Sequence, residues 1–203
     1  MILIVSAVFS PEPVVSAQMA HNLAQHLSAE MNITVVCPRP TRPYGTGFLN
    51  QNSEDVPFEV KNVISYTHPG SSFIGRMIES ISYGRATRKV IRERYSEISI
   101  VYANTWPLFA QFAVTRACKK LNIPLVLHVQ DIYPETLTDR LGLIGPVIRD
   151  LLMPIEKYVM NNATAIVAIG NKMAEYLASS RGIDKNKTRI FVIYIFFKPK
   201  MLK

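Results

Sequence analysis

PLVLHVQDIYPE, residues 124–135, begins as an apolar run and ends in polar groups, an aromatic and a proline. Leu125, Val126, Leu127 and Val129 suit a strand covered on both faces. Gln130, Asp131, Tyr133 and Glu135 follow at once, where such a strand leaves the core. In an open α/β sheet that edge is where ligands bind.

Apolar runs of the same kind recur on both sides. Residues 2–8 (ILIVSAV), 33–37 (ITVVC), 58–66 (FEVKNVISY), 98–103 (ISIVYA), 163–169 (ATAIVAI) and 189–197 (RIFVIYIFF) read as strands. Helical spacing lies between most of them. Ala20, Leu23, Ala24 and Leu27 repeat after Ser16, the expected N-cap. Residues 71–95 form a long helix capped by Ser71 or Ser72. Its apolar face is Ile74, Met77, Ile78 and Ile81, and a bend or break is expected near Gly84. Pro107 opens a helix whose inner face takes Phe109, Phe112, Ala113 and Ala117. Residues 146–161 make another, kinked at Pro154, and residues 172–182 a last one ended by Gly182. Residues 38–57, with Pro38, Pro40, Pro43, Gly45 and Gly47, are a long loop, either a binding loop or lid or a surface insertion. The alternation predicts an α/β chain, a parallel sheet of about seven strands with helices on both faces. Residues 10–16, 104–106, 130–131 and 170–172 then converge on one edge.

The 203 residues suffice for one full core, and 48% hydrophobic with 19% charged is a globular composition. Cys37 and Cys118 lie far apart with no CxxC and read as structural thiols of a reducing compartment. His21, His26, His68 and His128 lack metal-ligand spacing, so no metal site is expected. The opening MILIVSAVF carries no basic region before it and fits a first strand better than a signal peptide. No apolar run is long enough for a spanning helix.

The net charge of +8 is concentrated. Residues 76–94 hold Arg76, Arg85, Arg88, Lys89, Arg92 and Arg94 against Glu79 and Glu93. Residues 185–203 hold Lys185, Lys187, Arg189, Lys198, Lys200 and Lys203 and no acid. Such charge suits nucleic acid, an anionic membrane or a phosphorylated small molecule. No recognition helix, finger spacing or aromatic–basic sheet motif speaks for nucleic acid. The basic helix has two readings. It is a solvated face, or, with Ile74, Met77, Ile78 and Ile81, a surface that rests on anionic lipid; the second requires that those residues not pack on the sheet.

Several chemistries are excluded at the turn after the first strand. FSPEPVVSA has no glycine, the second strand ends in Cys37-Pro38 rather than an acid, and neither a Walker A nor a G-x-S-x-G pattern occurs. Asp131 and Glu135 are suited to orienting hydroxyls or moving a proton. Against this, Asp131 also suits an N-cap and Glu135 a helix-start contact. Trp106 is either a platform for a sugar or lipid or an aromatic that closes the core. His128 reads as packed or hydrogen-bonded within its strand, with a site role as the alternative. No catalytic residue is assigned.

Residues 2–43 (ILIVSAVFSPEPVVSAQMAHNLAQHLSAEMNITVVCPRPTRP), 101–112 (VYANTWPLFAQF), 126–136 (VLHVQDIYPET) and 156–177 (EKYVMNNATAIVAIGNKMAEYL) together resemble the amino-terminal lobe of bacterial family 4 glycosyltransferases. The nearest branch builds capsule and O-antigen units. The resemblance covers roughly residues 1–194. It implies one Rossmann-like lobe of a two-lobed GT-B enzyme, the lobe that holds the acceptor, commonly a polyprenol-linked sugar. The other lobe grips the nucleotide-sugar donor, which is a substrate rather than a cofactor, and a metal is dispensable. It further implies a cytoplasmic enzyme, peripheral on the inner face of the cytoplasmic membrane.

By the same resemblance Pro13, Val14, Val15 and Ser16 face the donor phosphates. Many members carry a glycine pair where this chain has Val14-Val15. That weakens a backbone-amide cradle but leaves Ser16 and the helix start. Many also carry His where Gln130 stands. Gln130 cannot act as acid or base, so Gln130, Asp131, Glu135, Asn104 and Trp106 are expected to position substrate.

Relatives continue from the last strand into the second lobe, whereas RIFVIYIFFKPKMLK, residues 189–203, stops. The expectation is a missing donor-binding lobe, an atypical tail over residues 195–203 and little or no transferase activity in the chain alone, which lacks a visible means of stabilising the departing diphosphate. The alternative is a noncatalytic acceptor-binding or anchoring subunit paired with a separate donor-binding chain. A solitary flavodoxin-like module is a third reading. The apolar FVIYIFF is expected to favour self-association.

Overall fold

The computed structural model describes residues 1–42, 56–68, 70, 72–104, 107–184 and 189–193. Seven strands form one sheet: β1 (Ile2–Val5), β2 (Ile33–Pro38), β3 (Glu59–Val63), β4 (Ile100–Asn104), β5 (Leu125–Val129), β6 (Ala165–Ala168) and β7 (Arg189–Val192). Their spatial order is β3-β2-β1-β4-β5-β6-β7, and every neighbouring pair is parallel. The helices are α1 (Val15–Leu27), α2 (Phe73–Glu93), α3 (Leu108–Leu121), α4 (Glu135–Thr138), α5 (Gly145–Asn161) and α6 (Asn171–Arg181), with a 3-10 turn at Asp139–Ile144 before α5. This is a Rossmann-like α/β lobe with helices on both faces.

The two faces are unequal. On one, Ala20 and Ala24 of α1 pack against Ile4, Ile33, Val35 and Phe58. On the other, α2, α3, α5 and α6 bury residues such as Tyr83, Val114, Val159 and Leu177 against Leu3, Val5, Val101, Leu127 and Ile166. Right-handed crossovers require this division. The chain moves one way from β1 to β2, and the opposite way from β3 to β4 and onward to β7.

The structure moves several boundaries. β1 ends at Val5, where the chain turns. Val14 rather than Ser16 is the N-cap of α1; it is extended and makes no side-chain cap bond, so Ser16 lies in the first turn. Ser72 caps α2 by accepting the Gly75 N–H at 3.2 Å, and α2 runs unbroken through Gly84. A Cβ at Gly84 would lie 2.7 Å from Ala110 Cα, so the glycine permits the close α2–α3 crossing rather than a bend. That crossing moves the expected α2 face, while on α3 Ala117 is buried and Ala113 meets Gly84 as expected. Gly75, Ser80, Tyr83, Gly84, Thr87, Val90 and Ile91 of α2 are buried, whereas Ile74 and Ile78 are exposed. In α3 the buried face is Ala110, Val114, Ala117 and Cys118, with Phe109 and Phe112 only half-buried. α5 continues through Pro154. Gly182 ends α6 in the left-handed conformation (φ 61°), as its chemistry allows.

Cys37 and Cys118 are free, buried thiols. Burial pushes both up to about 12, with the Glu12 carboxylate adding to the effect at Cys37. Among the described residues no helix is long and apolar enough to cross a membrane. Residues 43–55 of the long loop, Trp106, Ser71 and residues 194–203 lie outside the described residues.

Candidate functional site at the carboxyl edge of the sheet

The strand order reverses between β1 and β4. The chain after β1 leaves toward α1 on one face and the chain after β4 toward α3 on the other, which opens a crevice at their carboxyl ends. The two ends are tied together. Asn104 Nδ2 donates to Ser6 Oγ at 3.1 Å, and Ser6 Oγ donates to the Val8 carbonyl at 2.7 Å. Asn104 is therefore a buried brace at the floor of the crevice. Behind it, the Tyr83 hydroxyl of α2 lies 2.8 Å from the Ser6 carbonyl and 2.9 Å from the Val36 carbonyl. Its single hydrogen serves both, which pins the ends of β1 and β2. Burial holds this phenol well above its ordinary pKa.

The loop after β1 is fastened by a buried acid. Glu12 Oε1 accepts the Thr41 and Arg42 N–H groups at 2.7 and 3.0 Å, which joins this loop to the segment after β2. Arg42 also pairs with buried Glu79, which Arg76 approaches at 3.2 Å. Pro13 and Val15 are exposed beside half-buried Val14 and Ser16. The amino-terminal turn of α1 carries no side-chain cap bond, which leaves its first N–H groups outside the intrahelical ladder at this edge.

The loop after β5 is clamped from α6. Gln130 is half-buried and Asp131 exposed. Glu135 opens α4 and engages both carboxylate oxygens. Tyr176 O–H donates to Oε1 at 2.8 Å and Arg181 Nη2 to Oε2 at 2.7 Å. Arg181 Nη2 also donates to the Tyr133 carbonyl at 2.5 Å. Burial alone would raise the Glu135 carboxyl, but the Arg181 and Tyr176 hydrogen bonds outweigh it and hold the group below its ordinary value. Arg181 is itself fully buried. Glu156 of α5 lies buried in the same electrostatic cluster, and burial pushes it up to about 8; Arg181 opposes this shift and Glu135 adds to it.

His128, paired in register with Asn104, points to the α1 side of the sheet with Tyr102. The Tyr102 hydroxyl lies 2.8 Å from Nδ1, and burial lowers the ring to about 4, so the imidazole is neutral at physiological pH. Among the described residues no group of three or more His, Cys, Asp or Glu side chains is arranged to hold a metal ion.

The edge thus gathers the α1 amino terminus, Asn104, Gln130 and Asp131, with Glu135 immediately behind. Trp106 lies outside the described residues. Sequence reasoning passed over Ser6, Glu12, Tyr83, Tyr176 and Arg181, which hold these loops. Glu12, the lone acid of the FSPEPVVSA segment after β1, was the one available signal.

The family model described as Glycosyltransferase Family 4 matches residues 16–196. The chain belongs to this family. No curated protein matches it. Among solved structures, sucrose-phosphate synthase from Thermosynechococcus elongatus superposes with a TM-score of 0.65 at 11% identity, over 97% of this chain and 48% of that one. Phytolacca americana UGT2, complexed with UDP-2fluoro-glucose and pterostilbene, gives 0.57 at 12% identity, over 98% and 55%. Anabaena Alr3699/HepE, in complex with UDP and glucose, gives 0.55 at 18% identity, over 97% and 44%. These likenesses are of fold. The family 4 chain spans about half the length of these three structures. Its sheet is the GT-B glycosyltransferase type of lobe, with polar loop residues at its reversal crevice.

Proposed function

We propose that this family 4 glycosyltransferase lobe holds the acceptor in a sugar transfer from a nucleotide-sugar, the acceptor being a polyprenol-linked glycan of surface polysaccharide synthesis. The observation that supports it is the gathering of Gln130, Asp131 and the uncapped α1 terminus along one edge braced by Ser6 and Asn104. Gln130 and Asp131 orient sugar hydroxyls: an amide offers donors and an acceptor, and a carboxylate accepts from a hydroxyl. The helix start with Ser16 faces the donor phosphates. Glu135 acts through the loop, since both its oxygens are engaged, and is a positioning residue. The transfer itself needs a second, donor-binding lobe to stabilise the leaving diphosphate and to exclude water. Supplied by a separate chain, that lobe would make this one a noncatalytic acceptor subunit.

The test is saturation-transfer NMR of the full chain with a short-chain polyprenyl-diphosphate sugar, followed by incubation with nucleotide-sugars. The wild type is expected to bind the acceptor, Asp131→Ala to bind it about tenfold more weakly, and no transfer to occur without a donor lobe. Turnover by this chain alone would refute the one-walled site. Absence of binding, or binding indifferent to Asp131→Ala, would refute the acceptor role.

A further inference from the structure

The outer face of α5 carries a knob and a hollow on one helix. Val147 and Leu151 are four residues apart, so they share a face, and they are 72% and 73% exposed. About one turn further on, the face runs into a groove of about 420 Å³ lined by Phe112, Arg116, Pro154, Ile155 and Tyr158. Phe112 of α3 and Tyr158 of α5 meet edge to face there, with ring centroids 5.3 Å apart. The groove is therefore mostly apolar, and the two exposed aliphatic side chains are of a size to fill it.

Two opposite charges flank the same strip. Asp150 and Lys157 are both exposed and seven residues apart, which is about two turns or 10 Å along the axis, so they lie on one flank. Asp150 meets its neighbour Arg149 at 3.5 Å, an exposed pair of the kind that contributes little.

These features become complementary when the helix is reversed. In an antiparallel pair of identical helices, each flank faces the same flank of the other. A two-fold axis crossing α5 near Pro154 therefore sets Asp150 of one copy against Lys157 of the other, and does so twice. It also lays Val147 and Leu151 of each copy over the hollow at Pro154, Ile155 and Tyr158 of the other. We infer that the protein pairs with a second copy of itself through α5, antiparallel, with this knob-in-hollow contact at its centre and the Asp150–Lys157 pairs at its rim. Because α5 runs antiparallel to the strands it connects, the reversal points the two crevices in opposite directions and closes neither. The inference does not rest on the acceptor reading.

The experiment is sedimentation velocity of the full chain from about 1 to about 200 μM, with no acceptor or nucleotide-sugar present. One helix face falls short of the about 800 Å² per partner of a standard interface, so the pair is expected to be half-dissociated at tens of micromolar. Leu151→Asp should weaken association at least about tenfold, with circular dichroism unchanged because the side chain is 73% exposed. Asp150→Lys and Lys157→Asp should each weaken it about tenfold, since each sets like charges opposite one another at both rim contacts. Mixed in equal amounts, these two variants should associate as tightly as the wild type, because the mixed pair has opposite charges at both contacts. A merely adhesive apolar patch would not respond to mixing. A chain that stays monomeric across the range, association that Leu151→Asp leaves unchanged, or charge variants that mixing does not rescue overturns the inference. So does a monomeric chain that sediments with phospholipid vesicles and is released by Leu151→Asp, which would give the face to a bilayer.

Discussion

Replacing Glu156 by Gln should change how the fold responds to pH in a specific window. The buried Glu156 carboxyl titrates near 8 in the folded chain, against an ordinary value of 4.5. Between those values the folded state holds a proton that the unfolded state has lost. Stability therefore falls as pH rises, at about 1.4 kcal/mol per unit. Buried His128 works in the other direction. Its ring titrates near 4 against an ordinary 6.5, so the unfolded state binds the extra proton and stability rises with pH across that interval. From about 4.5 to 6.5 the two slopes oppose one another, and from about 6.5 to 8 Glu156 acts without His128. The wild type should be nearly flat in the lower interval and lose about 2 kcal/mol across the upper one. Glu156→Gln should rise through the lower interval and level off in the upper. Urea unfolding followed by far-ultraviolet circular dichroism, at half-unit steps, gives both curves. The shifted carboxyls Glu59 and Glu135 titrate below their ordinary range and the buried thiols near 12, so neither class enters the upper window. A wild-type curve that stays level above pH 6.5, or a Glu156→Gln curve parallel to it, would refute the burial argument.

Two further substitutions probe the packing behind the crevice. Gly84→Ala gains about 1 kcal/mol of helix propensity, yet its Cβ would meet Ala110 Cα at 2.7 Å, so a net loss of about 1–3 kcal/mol is expected in urea unfolding; a stabilised variant would disprove the close crossing. Arg181→Met removes the donor shared by Glu135 and the Tyr133 carbonyl, which should cost about 3 kcal/mol and raise amide exchange across residues 130–138, while unchanged exchange there would show that α6 does not hold this loop.

The alternation of apolar runs with helical segments was legible because every interior strand is covered on both faces and so reads as a continuous hydrophobic word. The polar residues after β5 were legible for the same reason: Gln130 and Asp131 interrupt that word where it meets solvent. The α1 face was legible as well, since Ala20, Leu23, Ala24 and Leu27 all pack on the core, but the α2 face was not. In α2 the isoleucines at 74, 78 and 81 have the right spacing for a buried stripe, but the face that packs is made of Ser80, Gly84 and Thr87 around Tyr83. Periodicity locates an apolar stripe without saying whether a partner can approach it, and at a close crossing the small residues decide. α3 shows the complement, since the Ala110 and Ala113 side of the helix, with the Phe109 carbonyl rather than its ring, meets Gly84. The clamp on the β5 loop was hidden for another reason. Arg181 lies 46 residues from Glu135, and a lone arginine before a terminal glycine looks like a cation favoured by the end of its helix.

The residues that hold the crevice in shape sit behind it, on helices of one layer. Tyr83 reaches through from α2 to the carbonyls that end β1 and β2, and Arg181 reaches from α6 to the loop after β5. Both are fully buried, and each offsets its desolvation with hydrogen bonds to backbone carbonyls, of Ser6 and Val36 for Tyr83 and of Tyr133 for Arg181. Asn104 adds a side-chain link across the reversal itself. The consequence is an edge whose exposed groups, Asp131 and the α1 terminus, take no part in these braces, which suits the ligand-binding role proposed for them. Substitutions at Asp131 should therefore alter binding with little effect on stability, whereas substitutions at Tyr83 or Arg181 should weaken both together, because they release the loops that carry the binding groups.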